Sequence, residues 1–170
     1  MASAEAEFER LYVQHAPAVR RLIRFLGADA DLADDIVAET FARVWAAPGP
    51  IRQGSIRAYL FTIARNLHRR AARRARSHDM LSEDFADSAV TAEQSAEARS
   101  DLAAVLSAMN LLPPDDRAAL LMRAAERMPY DEIARALGLT VSNAKVRVHR
   151  ARLKLAASLE KPDEKGGKKR

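Results

Sequence analysis

The chain has 170 residues, nearly half of them apolar, few aromatics, no cysteine and a net charge of +5. No cysteine means no disulfide, no thiol nucleophile and no cysteine-based zinc site. Richness in Ala, Leu and Arg favours helices over sheets. No apolar run approaches bilayer-spanning length, and the N-terminus lacks a signal peptide's hydrophobic segment, so the expected location is the cytoplasm with no membrane insertion. Basic blocks at 1–76 and 99–170 flank residues 77–98, which hold Asp79, Glu83, Asp84, Asp87, Glu93 and Glu97 and no Lys or Arg. Basic blocks suggest a polyanionic partner. The acidic stretch has few large apolar residues and reads as a flexible linker. The expected layout is all-α: a helical domain over 1–76, the linker over 77–98, a four-helix module over 99–160, and a basic disordered tail over 161–170.

Residues 5–15 place Phe8, Leu11, Tyr12 and His15 on one face of a short helix. Pro17 is expected to start a second helix, since proline is tolerated in a first turn. Val19, Leu22, Ile23 and Leu26 form its core face, and Gly27 ends it. Asp31 is expected to cap a third helix, paired weakly with Asp34. Leu32, Ala33, Ile36, Val37, Phe41, Val44 and Trp45 make its apolar face. Asp34, Asp35, Ala38, Glu39 and Ala42 share the other side, which reads as dipole complementarity or as an acidic docking surface.

After the break at Pro48-Gly49-Pro50, Ser55 is a good N-cap for a fourth helix. Ile56, Tyr59, Leu60, Ile63, Ala64 and Leu67 are expected to face the core. His68, Arg69, Arg70, Arg73, Arg74 and Arg76 then arrive almost without interruption, a density that suits a phosphate backbone. Tyr59 or Phe61 could stack on an unpaired base, with core packing preferred for Phe61.

Beyond the linker, Leu102, Val105, Leu106, Met109 and Leu112 make a helix ended by Pro113-Pro114. Asp115 and Asp116 open the next helix as its dipole prefers, and Leu120, Leu121, Ala124 and Ala125 are its expected buried side. Tyr130 to Leu155 then reads as helix, tight turn, helix. Ile133, Ala134 and Leu137 give the first helix an apolar face, Gly138 turns the chain, and Thr140 caps the second helix. Ala144, Val148, Ala151 and Leu155 recur at helical spacing, with Asn143, Arg147, Arg150 and Lys154 on a neighbouring face. That is the layout of a helix-turn-helix, with cations for phosphates and residues near the helix start for base edges. No nucleophile, metal set or phosphate loop accompanies the acids, so neither an enzyme nor a bound metal or cofactor is expected.

DLADDIVAETFARVW (31–45), RAYLFTIARNLHRRAAR (57–73), LLPPDDRAALLMRAAERMPYDEIARALGL (111–139) and KVRVHRARLKL (145–155) together resemble bacterial RNA polymerase sigma factors of the extracytoplasmic-function type, in the sigma-70 superfamily. The resemblance implies a promoter-recognition subunit that binds the clamp coiled coil and flap of core RNA polymerase, directs initiation at promoter DNA, and is held by an anti-sigma factor. It implies a monomer when free, with no small-molecule substrate. Asp34, Asp35, Ala38, Glu39 and Ala42 fall on the segment that docks on polymerase, with Ala38 where Gln is usual. Ser55, Tyr59, Arg65, Asn66, Arg69, Arg70, Arg73 and Arg74 fall on the segment that melts the minus-ten element. Thr140, Ser142, Asn143, Lys145, Arg147, Arg150 and Lys154 fall on the minus-thirty-five reader. Ser142, Asn143 and Ala144 replace a common Gly-Thr-Val, and Asn can pair bidentately with adenine where Thr cannot. The rival readings are a one-component helix-turn-helix regulator, which binds duplex DNA without polymerase, and a helical adaptor using the acidic helix alone. Free in solution, the two modules are expected to collapse on each other through charge, with the acidic linker near either basic face.

Overall fold

The computed structural model describes residues 2–47, 55–78 and 96–160. Among the described residues there are seven helices and no strand: α1 (Ala2–Phe25), α2 (Ala30–Ala46), α3 (Ile56–His78), α4 (Ala96–Asn110), α5 (Pro114–Ala124), α6 (Tyr130–Leu137) and α7 (Val141–Leu159). The first three pack together, as do the last four, in the all-α arrangement expected. The proline-broken loop 48–54, residues 79–95 of the acidic stretch and the tail 161–170 lie outside the described residues.

The N-terminal helix departs from expectation. Pro17 lies inside one continuous helix and does not start a second one. Proline removes the bond to the carbonyl four residues back. That carbonyl belongs to Val13, and Val13 and Pro17 are both exposed to solvent. Ala16, Val19, Leu22 and Ile23 are buried along the same helix, and Leu26 just beyond it, so apolar packing carries the helix through the site. The cap of α2 also differs: Asp29, not Asp31, accepts the Leu32 N–H at 2.8 Å. Asp34 is no capping partner; it receives Arg20 from α1 at 2.6 Å.

The core face of α3 is rotated from the expected one. Ala58, Leu60, Phe61, Ala64 and even Arg65 are buried, whereas Tyr59 is 36% exposed. Phe61 is fully buried, as its packing role requires. Ala124 and Ala125 are exposed because α5 ends there. Arg127 follows at φ 53°, the one described non-glycine residue in the left-handed region. Such a conformation costs about 1–2 kcal/mol. It is sustained because Glu126 and Met128, on either side, are both buried.

The helix-turn-helix forms as its residues dictate. Gly138 takes the left-handed C-cap at φ 66°, and Leu139 N–H reaches back to the Ala134 carbonyl at 2.8 Å. Thr140 caps α7 by accepting the Asn143 N–H. Ile133, Ala134, Ala136 and Leu137 of α6 are buried, as are Ala144, Val148 and Ala151 of α7. The expected part of the linker in bringing the halves together lies outside the described residues, and the halves meet through apolar packing. One apolar cluster runs from Leu22, Ile23, Phe41 and Phe61 into Met122, Met128, Ile133 and Val148. α1 packs on α5 and α3 on α6. Fully burying one such side chain contributes roughly 1.5–3 kcal/mol, more than an exposed ion pair does.

Candidate nucleic-acid interface

Three surfaces carry the expected site residues. On α2, Asp34, Asp35, Ala38, Glu39 and Ala42 are all exposed, because Ala33, Ile36, Val37, Thr40 and Phe41 take the buried side. Asp34 is held by Arg20, whose hydrogen bond keeps it below the usual carboxylate range. Glu39 pairs with Arg43 one turn on, at 2.7 Å. Beside this face lies an open groove of about 440 Å³ lined by Glu5, Phe8, Tyr12, Ala38, Phe41, Ala42 and Trp45. Tyr12 and Trp45, expected on the apolar faces of their helices, line this groove and stay 42% and 54% exposed. The Phe8 and Tyr12 rings meet Phe41 edge-on, and Phe8 also meets Trp45, so the groove wall is a packed aromatic set.

On α3, Asn66, Arg69, Arg70, Arg73 and Arg74 are exposed, in line with a cationic face. Tyr59 is exposed about two turns before Asn66. Ser55 precedes the helix and accepts the Tyr59 N–H through its carbonyl. Arg65 stands apart. It is 6% exposed and gives two hydrogen bonds to Asp115 Oδ1, the closer at 2.7 Å.

On α7, Thr140, Ser142, Asn143, Lys145, Arg150 and Lys154 are exposed. Arg147 is half-buried and gives a 3.1 Å hydrogen bond to Asp116 Oδ1, while Lys154 lies 3.7 Å from Asp116 Oδ2. Lys145 lies over the Tyr130 ring at 5.8 Å, and Arg123 lies over it at 4.7 Å. Asn143, Arg147, Arg150 and Lys154 share one face of α7, Ser142 and Lys145 lie to its other side, and Arg65 is separated from the other α3 cations.

Sequence reasoning missed the residues that organise these surfaces. Asp115 and Asp116 read only as dipole complements, yet they hold Arg65, Arg147 and Lys154. Arg117 was not singled out. It is buried and donates to the Phe25, Asn110 and Leu112 carbonyls and to Asn110 Oδ1. A cation there satisfies the orphan carbonyls at the ends of α1 and α4. Desolvation lowers its pKa from the usual guanidinium value. Glu126 is buried and receives Arg21 at 2.5 Å, while Arg57 donates to its backbone carbonyl. His68 sits half-buried near Arg117, and burial first, then that charge, lowers its pKa from the ordinary 6.5. The only signal in the sequence was an acidic pair followed by arginine, which gives no partner.

The family model for Sigma-70 region 2 matches residues 11–78, and that for Sigma-70, region 4 matches residues 102–155. The chain is 34% identical over 144 residues to the ECF RNA polymerase sigma factor EcfG of Rhodopseudomonas palustris, covering 84% of this chain and 80% of that one. The chain belongs to the ECF family of RNA polymerase sigma factors. It is 31% identical over 170 residues to the RNA polymerase sigma factor CnrH of Cupriavidus metallidurans, covering 93% of this chain and 89% of that one. Among solved structures it resembles the sigma factor RpoE in complex with the anti-sigma factor NepR from Bartonella quintana (TM-score 0.76, 28% identity, 91% of this chain and 97% of that one). It also resembles CnrH in complex with the cytosolic domain of CnrY (TM-score 0.68, 30% identity, 92% of this chain and 89% of that one). As an ECF sigma factor the chain is a transcription initiation factor, and its region 2 sets aside the one-component regulator, which needs only the helix-turn-helix. No helix among the described residues is long and apolar enough to cross a membrane.

Proposed function

We propose that this sigma factor binds core RNA polymerase through α2, captures the minus-ten element along α3 and reads the minus-thirty-five element with α7. Asp34, Asp35 and Glu39 supply charge to the polymerase clamp coiled coil. Ala38 and Ala42 leave that face flat, so a partner helix can lie close to it. Arg69, Arg70, Arg73 and Arg74 hold single-strand phosphates, with Asn66 and Tyr59 beside the unpaired bases. Extracting a base costs a few kcal/mol, which the cationic face and polymerase contacts must offset. Ser142, Asn143 and Arg150, exposed in the first half of α7, meet base edges and phosphates in the major groove. The chain acts in the cytoplasm without catalysing a reaction itself. An anti-sigma factor holds it inactive; the complexes of RpoE with NepR and of CnrH with CnrY support that partner.

The observation that carries this reading is the order of surfaces on one chain: an exposed acidic helix, an arginine-lined helix and a helix-turn-helix. A one-component regulator has no use for the first two. Co-elution with core polymerase tests it. The wild type is expected to join core, and Asp35→Lys/Glu39→Lys is expected to weaken that binding at least tenfold with helicity unchanged. Equal binding by the charge-reversed protein would remove α2 from the interface.

A further inference from the structure

Both candidate DNA surfaces are tied to the same short stretch of α5. Asp115 Oδ1 takes Arg65 of the minus-ten set, and Asp115 Oδ2 lies 4.0 Å from Arg147 of the minus-thirty-five set. Asp116 completes the pair by taking Arg147 and Lys154. A second clasp lies at the end of α5, where buried Glu126 takes Arg21 of α1 and its carbonyl takes Arg57 of α3. A third joins Arg117 to the Phe25 carbonyl. Arg65 with Asp115, Arg21 and Arg57 with Glu126, and Arg117 with Phe25 each cross between the first three helices and the last four with an arginine as donor, whereas Arg147 and Lys154 meet Asp116 within the last four.

Carboxylates that accept guanidinium groups offer the chemistry that phosphates offer. Arg65 cannot reach a nucleic-acid phosphate while 6% exposed and bonded to Asp115. We infer that Asp115 and Glu126 form an intramolecular latch that stands in for promoter phosphates, keeping the two halves closed and the arginines occupied until a nucleic-acid backbone or polymerase displaces them. The inference rests on the promoter-reading function proposed above. The left-handed turn at Arg127 belongs to the device, because it lets Glu126 and Met128 both face inward. The closed form is therefore the resting state of the free chain. DNA binding carries the cost of opening it, and apparent affinity is lowered by the fraction of molecules that are closed.

The native chain has no cysteine, so Gln14→Cys and Ala157→Cys, both at exposed positions, accept a pair of fluorescent labels on the full chain. Transfer between them reports closure without polymerase. Asp115→Arg/Glu126→Arg places like charges against Arg65 and Arg21, and transfer is expected to fall at least twofold with helicity retained. Adding Arg65→Asp and Arg21→Glu restores opposite pairs at the wild-type net charge, and transfer is expected to recover. Unchanged transfer in the reversed protein, or no recovery in the swapped one, overturns the latch. If reversal costs helicity, the milder Asp115→Asn/Glu126→Gln replaces it. That neutral pair is expected to bind a short duplex roughly tenfold tighter, as release from a state that is about nine-tenths closed predicts. Asp31→Asn/Glu160→Gln makes the same charge change at exposed sites and is expected to change affinity little. An equal gain in both proteins overturns the latch as well. Run-off transcription reports the sigma activity separately, so a protein that initiates normally yet shows no opening loses the latch alone.

Discussion

Replacing Asp116 with Ala tests whether α7 is positioned by α5. Asp116 is buried, with its side chain 5% exposed, and accepts the 3.1 Å hydrogen bond from Arg147, whose side chain is 24% exposed. A hydrogen bond to a charged group contributes about 1.5–3 kcal/mol. Arg147 retains access to water, so its loss of partner stays below the 3–5 kcal/mol seen when a fully buried charge is orphaned. Lys154 is 55% exposed and 3.7 Å away, so its share is under about 1 kcal/mol. The expected cost of Asp116→Ala is therefore about 2–3 kcal/mol, and that of Lys154→Ala only a few tenths. In a chain of this length 2 kcal/mol lowers Tm by about 4–8 °C. Thermal unfolding followed by circular dichroism measures both. A double-mutant cycle with Arg147→Ala isolates the pair, and a coupling of 1 kcal/mol or more is expected. A loss under about 0.5 kcal/mol for Asp116→Ala, or equal losses for Asp116→Ala and Lys154→Ala, would refute the assignment.

Three further outcomes follow from single residues. Thr140→Ala removes the cap of α7 and is expected to cost about 1 kcal/mol in thermal unfolding. Asn143→Thr is expected to shift base preference at one position of a minus-thirty-five variant series by about 1–3 kcal/mol, while an unchanged preference would mean that Asn143 reads no base. The lowered pKa of His68 makes stability pH-dependent. Above 6.5 the imidazole is neutral folded or unfolded, so nothing is lost. Below 6.5 the unfolded chain takes up the proton first, and stability falls with pH until the folded value is passed. His15, lowered by burial and then by Arg57, adds in the same direction. Tm is expected to drop as pH falls below 6.5, and His68→Gln to flatten that slope. An identical slope in the variant would assign the effect elsewhere.

The helix-turn-helix was legible because its signals are local. Gly138 needs a positive φ, Thr140 needs only the next turn, and Ala144, Val148 and Ala151 recur at helical spacing. The acidic face of α2 was legible for the same reason: alternation of buried and exposed positions within one helix. Pro17 misled because proline's local penalty was outweighed by apolar packing along the whole of α1. Asp31 misled because several acids in a row leave the capping position open, and only backbone geometry chose Asp29. The α3 face was misjudged because Arg65 turns inward to a partner 50 residues away. No pattern within a helix can announce such a partner. Arg21 with Glu126, 105 residues apart, and Arg117 with Phe25, 92 apart, were invisible for that reason. The packing of region 2 on region 4 is thus a property of tertiary contacts, whereas the family motifs themselves lie within single helices.

The defining act proposed for this chain is to set where RNA synthesis starts. Run-off transcription with core polymerase, with and without the protein, on a panel of candidate promoters measures it directly. Discrete transcripts that begin at fixed positions, appear only when the chain is added and weaken with Asp35→Lys/Glu39→Lys are the expected result. Transcripts of the same lengths and amounts with and without the protein would contradict it.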